Sequence, residues 1–144
     1  MSASSHGCVP SLIITIDGPA GTGKSTVAHQ LARRLDIDSL DSGSMYRAAS
    51  LVAIERGIDP ADGEGLAEAL GSVELRFDWE TKPPILRMDG RDISQRIREM
   101  DVSGIVSDVA KCPPVRAVLV EAQRQIGTEH PRLVSEGRDQ GSIV

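Results

Sequence analysis

Aromatic side chains are almost absent: one Trp, one Tyr and one Phe among 144 residues, 2% of the chain. A core built without them must rest on Val, Ile, Leu and Ala. Cysteine is scarce as well. Cys8 stands in a polar leader and Cys112 before a Pro pair, and neither has metal-ligand spacing or belongs to a disulfide framework. A reducing cytoplasm is the simplest setting for such a chain. No apolar run approaches the ~20 residues that span a bilayer, and residues 1–10 lack the basic start and apolar body of a signal peptide. An excess of basic charge is missing too: 16 Lys and Arg against 21 Asp and Glu give a formal charge of -5. Wholesale attraction to nucleic acid or to an anionic membrane needs the opposite sign, so neither is expected as a partner and cationic chemistry must be local.

The length fits one domain with a single core. Residues 1–11 read as a disordered leader. Leu12-Ile13-Ile14-Thr15-Ile16 is a short β-branched run followed at once by Asp17-Gly18-Pro19, the signature of a buried strand ending in a loop. Beyond Lys24, the residues Val27, Ala28, Leu31, Ala32 and Leu35 recur at helical spacing, with His29, Gln30, Arg33 and Arg34 on the other face. A second short strand and turn is expected at 39–43, then a helix from Met45 to Arg56 stopped by Gly57, and a short helix from Asp62 to Leu70. The stretches 73–79 and 85–89 alternate apolar with polar around a Pro-Pro turn and predict an antiparallel hairpin. Ile105, Val106, Val109 and Ala110 mark one helix, ended by Pro113 and Pro114. Val115, Val118, Leu119, Ala122 and Ile126 mark the next, with Pro114 fitting its first turn. A last strand is expected at 132–137, leading into the polar loop Arg138-Asp139-Gln140-Gly141.

Between the first strand and the first helix stands Gly18-Pro19-Ala20-Gly21-Thr22-Gly23-Lys24-Ser25, a full match to G-x-x-x-x-G-K-[ST]. The chemistry follows from the residue types. Glycines let the backbone approach phosphates closely, and their amides join a helix N-terminus that attracts anions. Lys24 reaches the β- and γ-phosphates, and the Ser25 hydroxyl suits Mg²⁺. Thr26 is as readily an ordinary helix residue as a phosphate contact. The loop by itself serves hydrolysis, transfer to a metabolite or a nucleotide-driven switch equally well. On residue type alone, Arg116 and Arg98 read as solvated surface arginines, and Arg47 as an exposed helical charge. Asp41 and Asp139 suit turn or helix caps, and Ser107 a solvated helix face.

Three segments in order change that balance: Ile-Asp-Gly-Pro-Ala-Gly-Thr-Gly-Lys-Ser at 16–25, Leu-Asp-Ser-Gly-Ser-Met-Tyr-Arg at 40–47 and Glu-Gly-Arg-Asp-Gln-Gly at 136–141. Between them lie Asp92-Ile93-Ser94 with Ile97-Arg98, and Val109-Ala110 with Pro114-Val115-Arg116. From Leu12 to Val144 the chain resembles the bacterial cytidylate kinases. The first motif is common to many P-loop proteins; the other two are far more specific. The resemblance implies an α/β fold with a P-loop NTPase-type parallel sheet flanked by helices, and an inserted antiparallel hairpin within a monophosphate-binding region at about 59–100. It implies ATP-dependent, Mg²⁺-assisted phosphorylation of CMP and dCMP. Gly18 to Thr26 would hold ATP, with Ser25 on the metal. Ser42, Arg47, Ser107, Arg116, Arg138 and Asp139 would bind the acceptor, and Lys24 and Arg138 would serve catalysis. No general base is required, because phosphoryl transfer rests on alignment and charge stabilisation.

The family continues past the Gly-Arg-Asp loop through further strands, an arginine-rich lid and a C-terminal helix. Residues 12–144 are therefore expected to form a partial kinase domain whose sheet keeps only the strands near Leu12, Ser39 and Leu133. One flank of the first strand is then open, which favours self-association, and transfer without the lid is expected to be slow. Two other readings remain open: a P-loop kinase for another small metabolite, and a non-catalytic nucleotide-binding remnant.

Overall fold

The computed structural model describes residues 9–19 and 21–144. The leader expectation at residues 1–8, with His6 and Cys8, and the loop residue Ala20 lie outside the described residues. Strand β1 (Leu12–Asp17) leads through the glycine loop into α1 (Lys24–Leu35), β2 (Asp38–Asp41) and α2 (Ser42–Arg56). Then come α3 (Gly63–Gly71) and three short strands, β3 (Leu75–Asp78), β4 (Ile85–Met88) and β5 (Arg91–Asp92). A 3-10 turn at Arg96–Arg98, α4 (Met100–Lys111), α5 (Pro113–Glu129) and β6 (Arg132–Gly137) complete the order. The fold is α/β: a parallel sheet in the order β1-β6-β2, flanked by helices, and a separate antiparallel sheet in the order β3-β4-β5.

Local chemistry sets the boundaries. The Asp41 carboxylate accepts from the Ser44 N–H at 3.3 Å, and Ser44 Oγ donates back to the Asp41 carbonyl at 2.7 Å. That cap starts α2 at Ser42, directly after β2, where the sequence suggests a turn and a helix only from Met45. Gly57, at φ 63°, ends the helix in a left-handed cap. Asp62 caps α3 through the Gly65 amide. Pro113 and Pro114 occupy the first turn of α5, where a missing N–H costs nothing.

Strand β6 is the centre of the molecule, flanked by β1 and β2 and buried along nearly its whole length. Its residues alternate between two helix layers. Val134 packs with Ala28, Ala32 and Ile37 on the α1 side, and Leu133 joins the larger core of α2, α3, α4 and α5. Leu86, Met88, Ile93 and Ile97 of the inserted region share that larger core. The region is tied to the parallel sheet at a second place: Lys82 Nζ lies 3.1 Å and His130 Nδ1 2.7 Å from the Asp38 carboxylate, and Trp79 stacks on His130.

Two helix faces differ from the apolar patterns in the sequence. In α5, Val118 is 38% exposed, while Val120 and the polar Gln123 are buried. In α1, Val27 and Leu35 are exposed. They share a helix face with Leu31, which, like Ile14 and Ile16 of the edge strand β1, is only partly buried against the small core of Ala28, Ala32, Ile37 and Val134. No helix among the described residues is long and apolar enough to cross a membrane.

Candidate active site

At the C-terminal end of the parallel sheet, β1 opens into the glycine loop. Gly21 at φ 77° and Gly23 at φ 82° take left-handed backbone that L side chains rarely adopt, and Gly23 is the residue before α1. The loop closes on itself through the Pro19 carbonyl, which accepts from Thr22 Oγ1 at 2.9 Å and Lys24 Nζ at 3.3 Å. Its base is fixed to the neighbouring strand, Gly18 N–H donating to the Gly137 carbonyl at 3.1 Å. The first-turn amides of α1, unpaired within the helix, therefore face the same loop as the Lys24 ammonium, an arrangement suited to polyanions. Thr26 is exposed and forms no side-chain hydrogen bond among the described residues.

Ser25 Oγ donates to Glu136 Oε1 at 2.7 Å. Glu136 is 3% exposed, and its Oε2 has no partner. Burial pushes its carboxyl up from the ordinary range; the Ser25 bond opposes this, and Asp41 adds to it. Asp41 is the register neighbour of Glu136 across β2 and β6. A hydroxyl and two carboxylates are hard oxygen donors, and an orphaned buried carboxylate oxygen beside a hydroxyl fits a small divalent cation. No group of three acidic, His or Cys side chains suited to a metal converges among the described residues. Such a cation would complete its shell from water and phosphate oxygens.

The expected acceptor residues surround the same strand end. Ser42 is buried, its Oγ donating to the Glu136 carbonyl at 2.8 Å. Gly137 has no room for a side chain, because a Cβ there collides with Ser42 Oγ and the Gln140 side chain. Arg116 reaches from α5 to the Asp139 carboxylate at 2.5 Å and to the Ala110 carbonyl at 3.4 Å. Arg138 is exposed and makes no side-chain hydrogen bond among the described residues. Arg47 is directed along α4, donating to the Ile97 carbonyl at 3.2 Å and to Ser103 Oγ at 2.8 Å. Ser107 is exposed one turn beyond Ser103. The structure thus gathers Lys24, Ser25, Ser42, Arg116, Arg138 and Asp139 at the end of β6, and sets Arg47 and Ser107 along the adjoining α4. A cavity of about 550 Å³ between β3–β4 and α5 includes none of them.

Four residues of this region carry no role in the sequence analysis, although Asp17, Tyr46 and Gln140 stand inside its motifs. Asp17 holds the loop after β6, its two oxygens accepting from the Gln140 and Gly141 amides at 2.8 and 2.9 Å. Gln140 and Gln123 are buried and bonded to each other at 2.9 Å. Tyr46 has a buried hydroxyl beside Gln123 without a well-formed hydrogen bond among the described residues; burial raises its pKa, and the nearby Arg116 opposes this. An acid directly after the first strand was a usable signal for Asp17; nothing in the apolar periodicity points to the glutamines.

A family model described as "Cytidylate kinase" matches residues 14–144, nearly the whole chain. The chain belongs to the cytidylate kinase family. Among curated relatives named cytidylate kinase, that of Rhodococcus opacus is 42% identical over 134 residues, covering 93% of this chain and 58% of the relative. That of Bordetella bronchiseptica is 39% identical over 142 residues, 99% of this chain and 60% of the relative. A third, from Mycobacterium leprae, is 41% identical over 133 residues, 92% and 58%. The chain therefore spans less than two thirds of the length of these cytidylate kinases. Every candidate residue from Gly18 to Asp139 falls inside the span matched by the cytidylate kinase model.

Proposed function

We propose that this chain binds ATP and CMP or dCMP at the end of β6 and carries the donor and acceptor sites of an ATP-dependent cytidylate kinase acting in the cytoplasm. The observation that supports this most is the direct linkage of the two loops. Gly18 of the donor loop bonds Gly137, and Asp17 bonds Gln140 and Gly141, so the glycine loop and the Arg138–Asp139 loop are parts of one hydrogen-bonded unit.

In this reading the backbone amides of Gly18 and of Gly21 to Ser25 and the Lys24 ammonium hold the β- and γ-phosphates, with Thr26 beside them. Ser25 Oγ, Glu136 and Asp41 are the residues that would hold Mg²⁺ and its water shell. When bound, that ion neutralises charge on the β- and γ-oxygens. Arg138, with no side-chain hydrogen bond among the described residues, takes the acceptor phosphate by a forked charge-assisted bond, and Arg47 turns from Ser103 to assist it. Asp139, steadied by Arg116, accepts from the sugar hydroxyls. Ser107 and Arg116 present donors to the base, and Ser42 keeps the strand end in place below them. An acceptor phosphate oxygen then attacks the γ-phosphorus in line. The bond to the β–γ bridging oxygen breaks, and ADP leaves as the second phosphate joins CMP.

The test is calorimetric titration of the chain with Mg·ATP and separately with CMP, followed by ADP release against a panel of acceptors. Binding of both nucleotides is expected, with CMP and dCMP ranking first as acceptors. Lys24→Ala should weaken Mg·ATP binding by about 10- to 100-fold, as for loss of a charge-assisted bond. Preference for a non-nucleotide acceptor would overturn the assignment, and nucleotide binding without acceptor-dependent turnover would make the chain a binding module.

A further inference from the structure

Beneath the Arg138–Asp139 loop runs a buried polar chain that the proposed chemistry does not use. Ser135 Oγ donates to Gln140 Oε1 at 2.6 Å, and Gln140 Nε2 donates to Gln123 Oε1 at 2.9 Å. Ser135, Gln140 and Gln123 are 5%, 5% and 2% exposed. Burying amides is unfavourable unless they are fully paired, and an aliphatic side chain would fill the same space at lower cost. Here the pairing is poor: Gln123 Nε2 and the Tyr46 hydroxyl are both buried and near each other, yet neither forms a well-aligned hydrogen bond among the described residues. Stability alone does not account for an amide at this place.

Its geometry offers another account. Gln123 stands seven residues beyond Arg116 in α5, two turns along the same helix face. That face grips the loop twice, through Arg116 to Asp139 and through Gln123 to the Gln140 side chain. From the opposite side, the Asp17 carboxylate grips the Gln140 and Gly141 amides. With the Ser135 hydroxyl on Gln140 Oε1, four attachments hold the loop, and Arg138 faces solvent with no side-chain hydrogen bond among the described residues.

We propose that Gln123, acting through Gln140, is a positioning residue that sets how the Arg138–Asp139 loop is presented to the acceptor phosphate and sugar. The proposal rests on the nucleotide-kinase reading above. Gln123 touches no substrate. Without its amide the loop remains tethered by Asp17, Arg116 and Ser135, so the chain still folds, but the Gln140 side chain is held from one side only and the Arg138 guanidinium samples a wider range of positions. The donor loop keeps its direct bond from Gly18 to Gly137 and feels the change only weakly, through Asp17. Loss of Gln123 is therefore felt far more by the acceptor than by ATP.

The experiment compares wild type with Gln123→Leu, Gln140→Leu, the double variant and Gln123→Glu, which keeps an oxygen to accept from Gln140 Nε2. Calorimetry gives affinities for CMP and Mg·ATP, and amide hydrogen exchange by NMR gives protection at Gln140 and Gly141. Each leucine variant should bind CMP about tenfold more weakly, the loss of one buried hydrogen bond, with Mg·ATP within about twofold of wild type. The double variant should be no weaker than either single, and Gln123→Glu should recover most of the affinity. Exchange at Gln140 and Gly141 should accelerate in Gln123→Leu. Equal weakening of both nucleotides, or unchanged exchange at those two amides, overturns the positioning role. Failure of the wild-type chain to bind CMP counts against the kinase reading, while the exchange rates still decide whether Gln123 holds the loop.

Discussion

At Glu136 a carboxyl group 3% exposed accepts one hydrogen bond from Ser25 and leaves its second oxygen unpaired. Burial raises its folded pKa above the unfolded value, so its favourable contribution is present at acid pH and lost as pH rises through the folded pKa. Glu136→Gln keeps an acceptor for Ser25 and removes the charge. In metal-free buffer at pH 8 it should raise Tm by about 2–4 °C, and the advantage should vanish near pH 4. The same variant should weaken Mg²⁺-dependent ATP affinity and leave metal-free ATP affinity unchanged. Scanning calorimetry at the two pH values checks the first claim, and a lower Tm at pH 8 would sink it. The sequence shows Glu136 only as the letter before Gly137, because its chemistry depends on Ser25, 111 residues away. By contrast Asp41 was legible as a cap from its place before a helical pattern. Gln123 was not, since periodicity is read from apolar residues and a buried amide looks like surface.

Among elements, the inserted sheet is held to the parallel sheet by a small clip. Asp38 at the start of β2 receives Lys82 from the β3–β4 turn and His130 from the turn between α5 and β6, while Trp79, just after β3, stacks on His130 with ring centroids 3.9 Å apart. Burial acts to raise the Asp38 pKa, but the bonds from His130 and Lys82 outweigh it and the net direction is down. The clip's contribution is therefore complete above the unfolded Asp value and lost as pH falls through the lowered one. Trp79 is the sole tryptophan, so its emission should change with a midpoint below about 3.9, the ordinary Asp value. Asp38→Asn should abolish that transition and cost about 1–2 kcal/mol in urea unfolding at pH 7, as for loss of charged hydrogen bonds in a half-buried site. An unshifted fluorescence transition in Asp38→Asn would refute the clip. The hairpin itself was plain from alternation around the Pro pair. The third strand was not, because β5 has two residues, too few for any period to show.

At the scale of the whole molecule, alternation of strands and helices announced an α/β chain, but composition and pattern are silent on strand order. Order arises from pairings between distant segments, such as Ile14 with Val134 and Ser39 with Val134. The consequence is that β6 is central and β1 lies at an edge, pairing among the described residues with β6 alone. Parallel strands normally lie buried on both faces and paired on both sides. Here Leu12 and Ile13 are 37% and 46% exposed, with Val27 and Leu35 of α1 exposed nearby. The strand Leu-Ile-Ile-Thr-Ile-Asp carries none of the usual edge protections of Lys, Pro or a bulge. Unpaired backbone amides and carbonyls beside apolar side chains form a template for another strand, so the 144-residue chain should associate as its concentration rises. Sedimentation should show a weight-average mass growing above 15.4 kDa, and Ile13→Lys should restore the monomer with a stability change within about 0.5 kcal/mol, as for an exposed site. Met100 is 88% exposed and far from β1 in the chain, on α4, so Met100→Lys should leave association unchanged. A monomer at every concentration would remove the edge from the argument, and equal rescue by both variants would mean that general surface hydrophobicity, not strand pairing, drives the contact.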